Sequence, residues 1–553
     1  MKLEDLQKIA LTEHEYRSTY KYRINVCCGS VCSNRGALNV LKELETVAKD
    51  TGVEKFCKIS QAGCIGICSS GPLILIEPGD YIYEKVTVEK VKYIVNEHIL
   101  NGRPVKELLY KNSESFKKQC RIVLKNSGKI NPYRIEDYIA VGGYSALAKV
   151  LTQMTPEQVI YEITVSGLRG RGGAYFPTGK KLNFVAKATN KPKYIVVNFD
   201  EGDPAVFANR VIAESNPHLI IEGAMIAAYA IGAEHGYMYV RSEYPLAIRI
   251  LKNAIEQAKN YGLIGKNAFN STFDFDLELR VGAGSYVVGE ETAILASIEG
   301  KRGMPRPRPP YPAVSGLFGK PTLINNVETL ANIPIIITNG GKWFSEIGAQ
   351  DFSGTKCITL TGKVNNPGVA EVATNITLYE IIYDIGGGVT VGQKFKTVFL
   401  GCPSGNFLRE DQLNQTISDL VKAGVIIGSG GIMVIDDETC IVEMVKTLNS
   451  FFIDESCGLC VPCRAGLPQV RMLLNKISDG EGSVEDMKTL EELCNLIKDT
   501  SLCGLGQSAP NPVLSSLKQF REEYLAHILE KRCPAGRCNL KTTEVLEDGC
   551  TSS

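Results

Sequence analysis

The sequence predicts a multidomain α/β protein that closes in a helical bundle, and three observations predict it. Its 553 residues correspond to roughly four domains of ordinary size. Strand-like and helix-like segments alternate through most of the chain, and the 18 cysteines fall into separated groups. Hydrophobic residues are 44% and charged residues 22%, with 61 Lys+Arg against 61 Asp+Glu, so the chain folds around apolar cores and offers no basic face to nucleic acid. No apolar run approaches the roughly 20 residues of a membrane span. MKLEDLQKIALTEHEY has neither the charged start nor the apolar stretch of an export signal. The expected compartment is the cytoplasm, where so many cysteines ask for metal rather than disulfides. His14, His98, His218, His235 and His527 are too few and scattered for imidazole-based chemistry.

Taken in order, residues 23–100 read as strand (RINVCC), helix (35–49), strand (KFCKIS), strand (PLILIE), strand (YIYEKV) and helix (88–100). This small α/β unit fills a first domain at 1–105. NGRPVKELLYKNSESFKKQ reads as its exit linker, since Asn101, Gly102 and Pro104 are turn residues. A second domain spans 121–355, where the buried strand YIVVNF, the small-residue helix IIEGAMIAAYAIGA and the strand YMYV alternate as in a parallel sheet. Residues 356–439 suggest a compact mixed module. Over 440–532 helical periodicity returns in VEMVKTLNSFFI, LPQVRMLLNKI, DMKTLEELCNLIKD and PVLSSLKQFREEYLAHIL, four segments able to form a bundle. Residues 533–553 form a polar, cysteine-bearing tail.

Cys27 and Cys32 form C-x4-C after a strand, and Cys64 and Cys68 form C-x3-C in a Gly-rich loop. Four thiolates from two loops suit a [2Fe–2S] cluster. Zinc is the rival, but structural zinc favours C-x2-C knuckles. Cys28 remains an alternative first ligand, and Cys57, alternating within a strand, reads as a buried thiol. Cys457, Cys460 and Cys463 form C-x2-C-x2-C, which offers three corners of a [4Fe–4S] cubane. Cys494 lies on an apolar helix face with Leu490, Leu493, Leu496 and Ile497, whereas Cys503 lies in the break SLCGLGQ. Cys503 is the expected fourth ligand. His527, Cys533, Cys538 and Cys550 read either as a zinc site stapling the tail or as thiols of a frayed terminus. Cys120, Cys357, Cys402 and Cys440 stand alone and read as packing residues.

The segment GLRGRGGAYFPTGKK from Gly167 to Lys181 concentrates glycines and cations, as a phosphate-cradling loop does. Gly170 and Gly172 begin a dinucleotide fingerprint, but Tyr175 stands at the third glycine and no buried strand leads into the loop, which argues against an ordinary Rossmann site. NFDEGDP follows the strand YIVVNF, and GEET follows GAGSYVV; carboxylates there read as partners of ribityl or ribose hydroxyls, or as helix caps. RPRPPYP, from Arg306 to Pro312, and KPTLINNVET complete the set. The proline run also fits the pattern of an SH3 ligand.

In this order, GLRGRGG, NFDEGDP, GEET, KPTLINNVET and SCGLCVPCR resemble the flavin-bearing NADH-oxidising subunit of respiratory complex I and its relatives in NAD-linked hydrogenases and formate dehydrogenases. The likeness spans residues 27–538 and is strongest to the beta subunit of electron-bifurcating [FeFe]-hydrogenase complexes. It implies a thioredoxin-like [2Fe–2S] domain, a Rossmann-like FMN/NAD domain, a ubiquitin-like (SLBB-type) module and a helical [4Fe–4S] bundle. It further implies that Gly170, Gly172, Lys181, Asn198, Asp200, Glu201, Gly289, Glu290, Asn325 and Asn326 hold FMN. Phe176, Phe184, Asp203, Glu291, Arg308 and Tyr311 would line the site for NAD(H) or NADP(H), with Lys181, Glu201 and Glu291 as the reacting-site residues.

The sequence departs from the pattern in Tyr175 (usually Gly), Leu182 (a familiar Trp), Val288 (often Cys) and Asn209 (usually Asp). Tyr175 puts nicotinamide access in question. Many hydrogenase relatives continue into a ferredoxin tail, whereas this sequence stops at Ser553, so two clusters are expected. The function implied is an NAD(P)H dehydrogenase, or diaphorase, subunit. Hydride would pass to FMN and single electrons through clusters to other iron–sulfur subunits, with ferredoxin and bifurcation as family possibilities. The alternative is an electron-transfer subunit that takes its electrons from a partner protein. Neither nucleic acid nor a membrane is an expected partner.

Overall fold

The computed structural model describes residues 1–540. After α1 (Leu3–Ser18), β1 (Tyr22–Cys27) runs into α2 (Ala37–Thr51), and Val40, Leu44, Val47 and Ala48 of α2 repeat at helical spacing and are buried. Gly36 and Gly52 bound α2 with φ of 91° and 72°, backbone that glycine adopts without strain; the helix therefore starts two residues later than its sequence signal. β2 (Cys57–Ala62), β3 (Ile74–Glu77) and β4 (Tyr81–Tyr83) complete a sheet of order β2-β1-β3-β4, and α3 (Val88–Ile94) covers it.

The expected exit linker is an ordered strap rather than a free tether. Val105 N–H donates to the Tyr83 hydroxyl (3.0 Å), Asn112 Nδ2 to the Ile385 carbonyl (3.0 Å), and Cys120 N–H to the Glu371 carbonyl (2.9 Å). It thus ties the first sheet to the third.

In the second domain, α4 (Ile135–Ala140) receives α1, whose Leu6 shares the core of this domain. The half-buried Arg17 and Lys58 and the more open Arg134 surround buried Glu13 at 3.1–3.2 Å. In space α1 therefore packs against the second domain while Lys58 of β2 also holds its Glu13. α5 (Thr178–Lys187), β5 (Tyr194–Phe199), α6 (Ala208–Ser215), α7 (Pro217–Ile231), β6 (His235–Arg241), β7 (Asp276–Gly282), α8 (Glu291–Ile298), β8 (Thr322–Asn326) and α9 (Val327–Asn339) follow. The four strands are all parallel, in the order β7-β6-β5-β8, as the alternating pattern predicts. α7 is buried almost all round, and Gly223 lets it approach α9: a Cβ there would lie 2.0 Å from the Leu330 carbonyl oxygen.

The third module is a mixed sheet. β9 (Thr355–Gly362), β10 (Gly368–Ala373), β11 (Phe395–Leu400), β12 (Asn406–Leu408) and β13 (Gly431–Asp436) take the order β10-β9-β13-β11-β12, with β9 and β13 parallel. The short helix α10 (Ile417–Lys422) packs into its core. The helical region then holds α11 (Ile441–Asp454), α12 (Val461–Ser478), α13 (Val484–Thr500), α14 (Asn511–Gln519) and α15 (Arg521–Leu529). The last expected helix is thus two. Phe520 leaves the helical region (φ −134°, ψ 35°) and its buried ring meets Phe407 edge-on at 6.2 Å under the Arg409 guanidinium; tertiary packing overrides local helix propensity there. No helix of the described residues is long and apolar enough to cross a membrane.

Candidate functional site

The Gly-rich loop before α5 is closed by Gly170 N–H donating to the Phe176 carbonyl (2.9 Å), and Arg171 N–H donates to Thr329 Oγ1 on α9 (2.8 Å). A Cβ on Gly172 would stand 3.1 Å from Asn326 Cβ, so the loop backbone runs against the end of β8. The acidic loop leaves β5 next door, because Asn198 pairs with Asn326. Asn198 Nδ2 donates to the Gly289 carbonyl (2.9 Å), and a Cβ on Gly289 would lie 3.4 Å from the Asp200 carbonyl oxygen. Gly170, Gly172, Asn198, Asp200, Gly289, Asn325 and Asn326 therefore gather at the carboxyl edge of the parallel sheet, where open α/β sheets bind ligands.

Polar atoms there await a ligand. Asp200 Oδ2, Asn209 Oδ1 and Asn325 Nδ2 are buried without a hydrogen-bond partner, a costly arrangement unless something polar meets them. Burial pushes the Asp200 carboxyl up to about 7, against the pull of Arg241. A hydroxyl-rich ribityl phosphate supplies both donors and acceptors for such a wall. Other expected residues serve as helix caps. Glu201 accepts from the N–H groups of Asn209 (2.7 Å) and Arg210 (3.0 Å) at the start of α6, and burial raises its carboxyl to about 7 despite them. Glu290 accepts from the N–H groups of Thr292 (2.8 Å) and Ala293 (3.0 Å), and Asn326 Oδ1 from Glu328 N–H (2.9 Å). Glu201 is thus anchored at the start of α6.

The expected nicotinamide residues open at a mouth beside this edge, Glu291 standing two residues after Gly289. Lys181 Nζ lies 3.4 Å from Glu291 Oε2, and Arg308 Nη1 donates to Glu291 Oε1 at 2.7 Å. The Arg308 guanidinium lies 5.8 Å from the Tyr311 ring centre, and the Phe176 and Phe184 rings are 6.4 Å apart. Phe176, Phe184 and Tyr311 are all exposed. Asp203 stands apart from this mouth: burial raises its carboxyl while the hydroxyls of Ser429 and Tyr286 hold it. Tyr175 adopts φ 50°, its hydroxyl donates to the Gly428 carbonyl (2.7 Å) and its ring packs edge-on against Phe352. Its side chain is thus tied to the third module. Leu182 and Val288 are simply buried in the core.

The first cysteine group is continuous. Cys27 hydrogen-bonds with Cys32 and Cys64, and Cys64 with Cys68. Cys28 is outside that chain, its thiol raised to about 12 by burial. Glycine is required where the ligand loops meet: a Cβ on Gly29 would lie 2.7 Å from Cys64 Cβ, and one on Gly71 2.7 Å from Cys32 Sγ. In the helical region Cys460 precedes α12 and Cys503 precedes the short helix Gly504–Ser508. Burial raises the Cys463 thiol to about 11, and the nearby Cys460, Cys503 and Cys457 add to it. Cys494 is fully buried among the bundle's apolar side chains. This loop abuts the flavin side of the second domain: Tyr286 N–H donates to Glu455 Oε2 (2.7 Å), and Arg302 Nη2 to the Cys457 carbonyl (3.1 Å).

Three family signatures match the chain: thioredoxin-like [2Fe-2S] ferredoxin over residues 12–98, the Nuo51 FMN-binding domain over 163–335, and the NADH-ubiquinone oxidoreductase-F iron-sulfur binding region over 443–527. The NADP-reducing hydrogenase subunit HndC of Solidesulfovibrio fructosivorans is 50% identical over 79% of this chain and 89% of its own. The NADH-quinone oxidoreductase F 2 subunit of Rhizobium meliloti (strain 1021) is 45% identical over 75% and 99%. The chain belongs to the family of NADH-quinone oxidoreductase F subunits. A solved NAD+-reducing [NiFe]-hydrogenase in its H2-reduced state matches 95% of this chain and 90% of its own, with TM-score 0.66 and 26% identity.

As a member of this family the chain carries FMN, one [2Fe–2S] and one [4Fe–4S] cluster, and the pocket and both cysteine groups fit them. A third cysteine group differs from its sequence reading. Cys440, Cys533, Cys538 and His527 bring all their ligand atoms within 4.8 Å of one another. Cys440 is therefore no lone packing residue, and Cys550 lies outside the described residues. Cys440 Sγ is 3.6 Å from His527 Nε2 and 3.5 Å from Cys538 Sγ, and His527 Nε2 is 3.4 Å from Cys538 Sγ. His527 Nδ1 donates to the Glu523 carbonyl (2.7 Å), which turns Nε2 toward the thiols. Hydrogen bonding to Cys538 and His527 pulls the Cys440 thiol down to about 4. Cys440 had no detectable signal, lying 87 residues from its imidazole.

Proposed function

We propose that this chain is the NAD(P)H-oxidising, or diaphorase, subunit of a hydrogenase- or formate-dehydrogenase-type complex. The observation that carries this is one continuous arrangement: a polar, unsatisfied pocket at the sheet edge, an exposed aromatic mouth beside it, and the [4Fe–4S] loop hydrogen-bonded to the same domain. When bound, FMN accepts a hydride and returns single electrons, which clusters can carry. Phe176, Phe184 and Tyr311 offer faces for a nucleotide base. Glu291 holds Lys181 and Arg308 in place, and the Lys181 ammonium supplies positive charge where negative charge develops. The partner-fed alternative leaned on Tyr175 and Asn209; the attachment of Tyr175 to Gly428 supports the direct reading. The resemblance to HndC supports assembly with other iron–sulfur subunits, and we include ferredoxin among the partners and the cytoplasm as the site of action. The test is an anaerobic visible spectrum of the full chain titrated separately with NADH and NADPH. Near-stoichiometric flavin bleaching is expected; bound flavin that neither nucleotide bleaches would overturn the reading.

We further propose that Cys440, His527, Cys533 and Cys538 hold zinc. A tetrahedral site with Zn–S of about 2.3 Å and Zn–N of about 2.0–2.1 Å would place its ligand atoms about 3.5–3.8 Å apart; Cys440, His527 and Cys538 stand 3.4–3.6 Å from one another, and all four ligand atoms lie within 4.8 Å. Metal analysis of the full chain is expected to find one zinc. Cys440→Ala loses it, whereas Cys550→Ala retains it; the reverse pattern assigns the site to the tail.

A further inference from the structure

The [2Fe–2S] module does not face solvent alone at its cluster loops. Ser30, between Cys27 and Cys32, donates its N–H to Glu214 Oε2 (2.8 Å) and its hydroxyl to Glu214 Oε1. Glu214 belongs to α6 of the flavin domain, 184 residues away, and is 2% exposed. Among the described residues it makes no ion pair. The second ligand loop rests on the same helix end: a Cβ on Gly63 would lie 2.4 Å from Ser215 Cα.

Reduction adds one electron to the cluster, and net charge and hydrogen bonding around the sulfurs are among the factors that set its potential. A buried carboxylate fixed against a ligand loop opposes that electron, most strongly where water is excluded. We propose that Glu214 is a positioning residue of the [2Fe–2S] centre supplied by the flavin domain and lowers its reduction potential. The driving force for electrons entering this centre is thereby set from α6, so it depends on docking of the module and not on the module's own loops alone. The proposal rests on the reading that Cys27, Cys32, Cys64 and Cys68 hold the cluster.

The experiment is an EPR-monitored redox titration of the [2Fe–2S] signal in the full chain, with iron content measured alongside. Glu214→Gln keeps an acceptor for Ser30 and removes the charge. It is expected to raise the reduced-to-oxidised ratio about tenfold at fixed ambient potential, which is about 59 mV for a one-electron couple. Glu214→Asp, which keeps the charge, is expected to stay near the ratio of the unmutated chain. An unchanged or lowered ratio in Glu214→Gln with iron intact, an equal shift in both variants, or loss of the cluster from both variants each overturn the proposal, the last by assigning a purely structural role. Absence of a [2Fe–2S] signal from the unmutated chain strikes the ligand reading itself and is distinguishable from all of these.

Discussion

Cys503→Ser is expected to eliminate the [4Fe–4S] centre while leaving flavin reduction by NAD(P)H in place. Cys503 sits at the head of a short helix beside the C-x2-C-x2-C loop, and its field is felt at Cys463. Outer-shell partners of metal sites already cost about 10–100-fold when changed, so loss of a ligand should lower electron delivery to a one-electron acceptor by at least about 100-fold. Cys494→Ala removes a thiol from the bundle core, where Cys494 is fully buried, and is expected to keep the cluster. Low-temperature EPR with iron analysis reads the first effect, and acceptor reduction against flavin bleaching reads the second. A Cys494→Ala chain lacking the [4Fe–4S] signal, with the Cys503→Ser chain retaining it, would reverse the assignment.

Lys356→Met is expected to produce the largest loss of stability. Lys356 on β9 pairs with Glu328 in the first turn of α9, with side-chain exposures of 0% and 2%. Lys356 also donates to the Cys357 carbonyl (2.9 Å), and Cys357 N–H donates to Glu328 Oε1 (2.8 Å). The pair thus joins the third module to the flavin domain. Removing one partner of a buried ion pair leaves an uncompensated charge and costs about 3–5 kcal/mol. Urea unfolding of the single variant should show that loss, and Lys356→Met with Glu328→Gln should recover most of it. Equal loss in the single and double variants would show that packing, not the stranded carboxylate, is responsible.

Much of the site was legible because its signals are local. C-x4-C, C-x3-C and C-x2-C-x2-C place their thiols within single loops, and a buried strand followed by NFDEGDP puts polar groups at a sheet edge. The roles of those acids were less legible. Glu290 meets helix N–H groups two and three residues on and Glu201 meets them eight and nine residues on, and a carboxylate near a helix start caps it or faces a ligand depending on a turn the sequence does not specify. Tyr175 shows the same limit: its identity raised a question of nicotinamide access, and its hydrogen bond to Gly428, 253 residues on, is a contact that no local pattern announces.

The sequence by itself determined the order of modules, the parallel sheet and the close-spaced cysteine groups, since periodicity and close spacing are properties of neighbouring residues. Only the tertiary structure decided that α1 packs against the flavin domain's core, that Phe520 divides the last helix, and that Cys440 meets His527 across 87 residues. It likewise brought Glu214 to Ser30 across 184 residues. These contacts depend on how separately patterned surfaces pack, and burial then fixes the electrostatic consequence: a charge that water would screen in the unfolded chain acts strongly on its neighbour once both are enclosed.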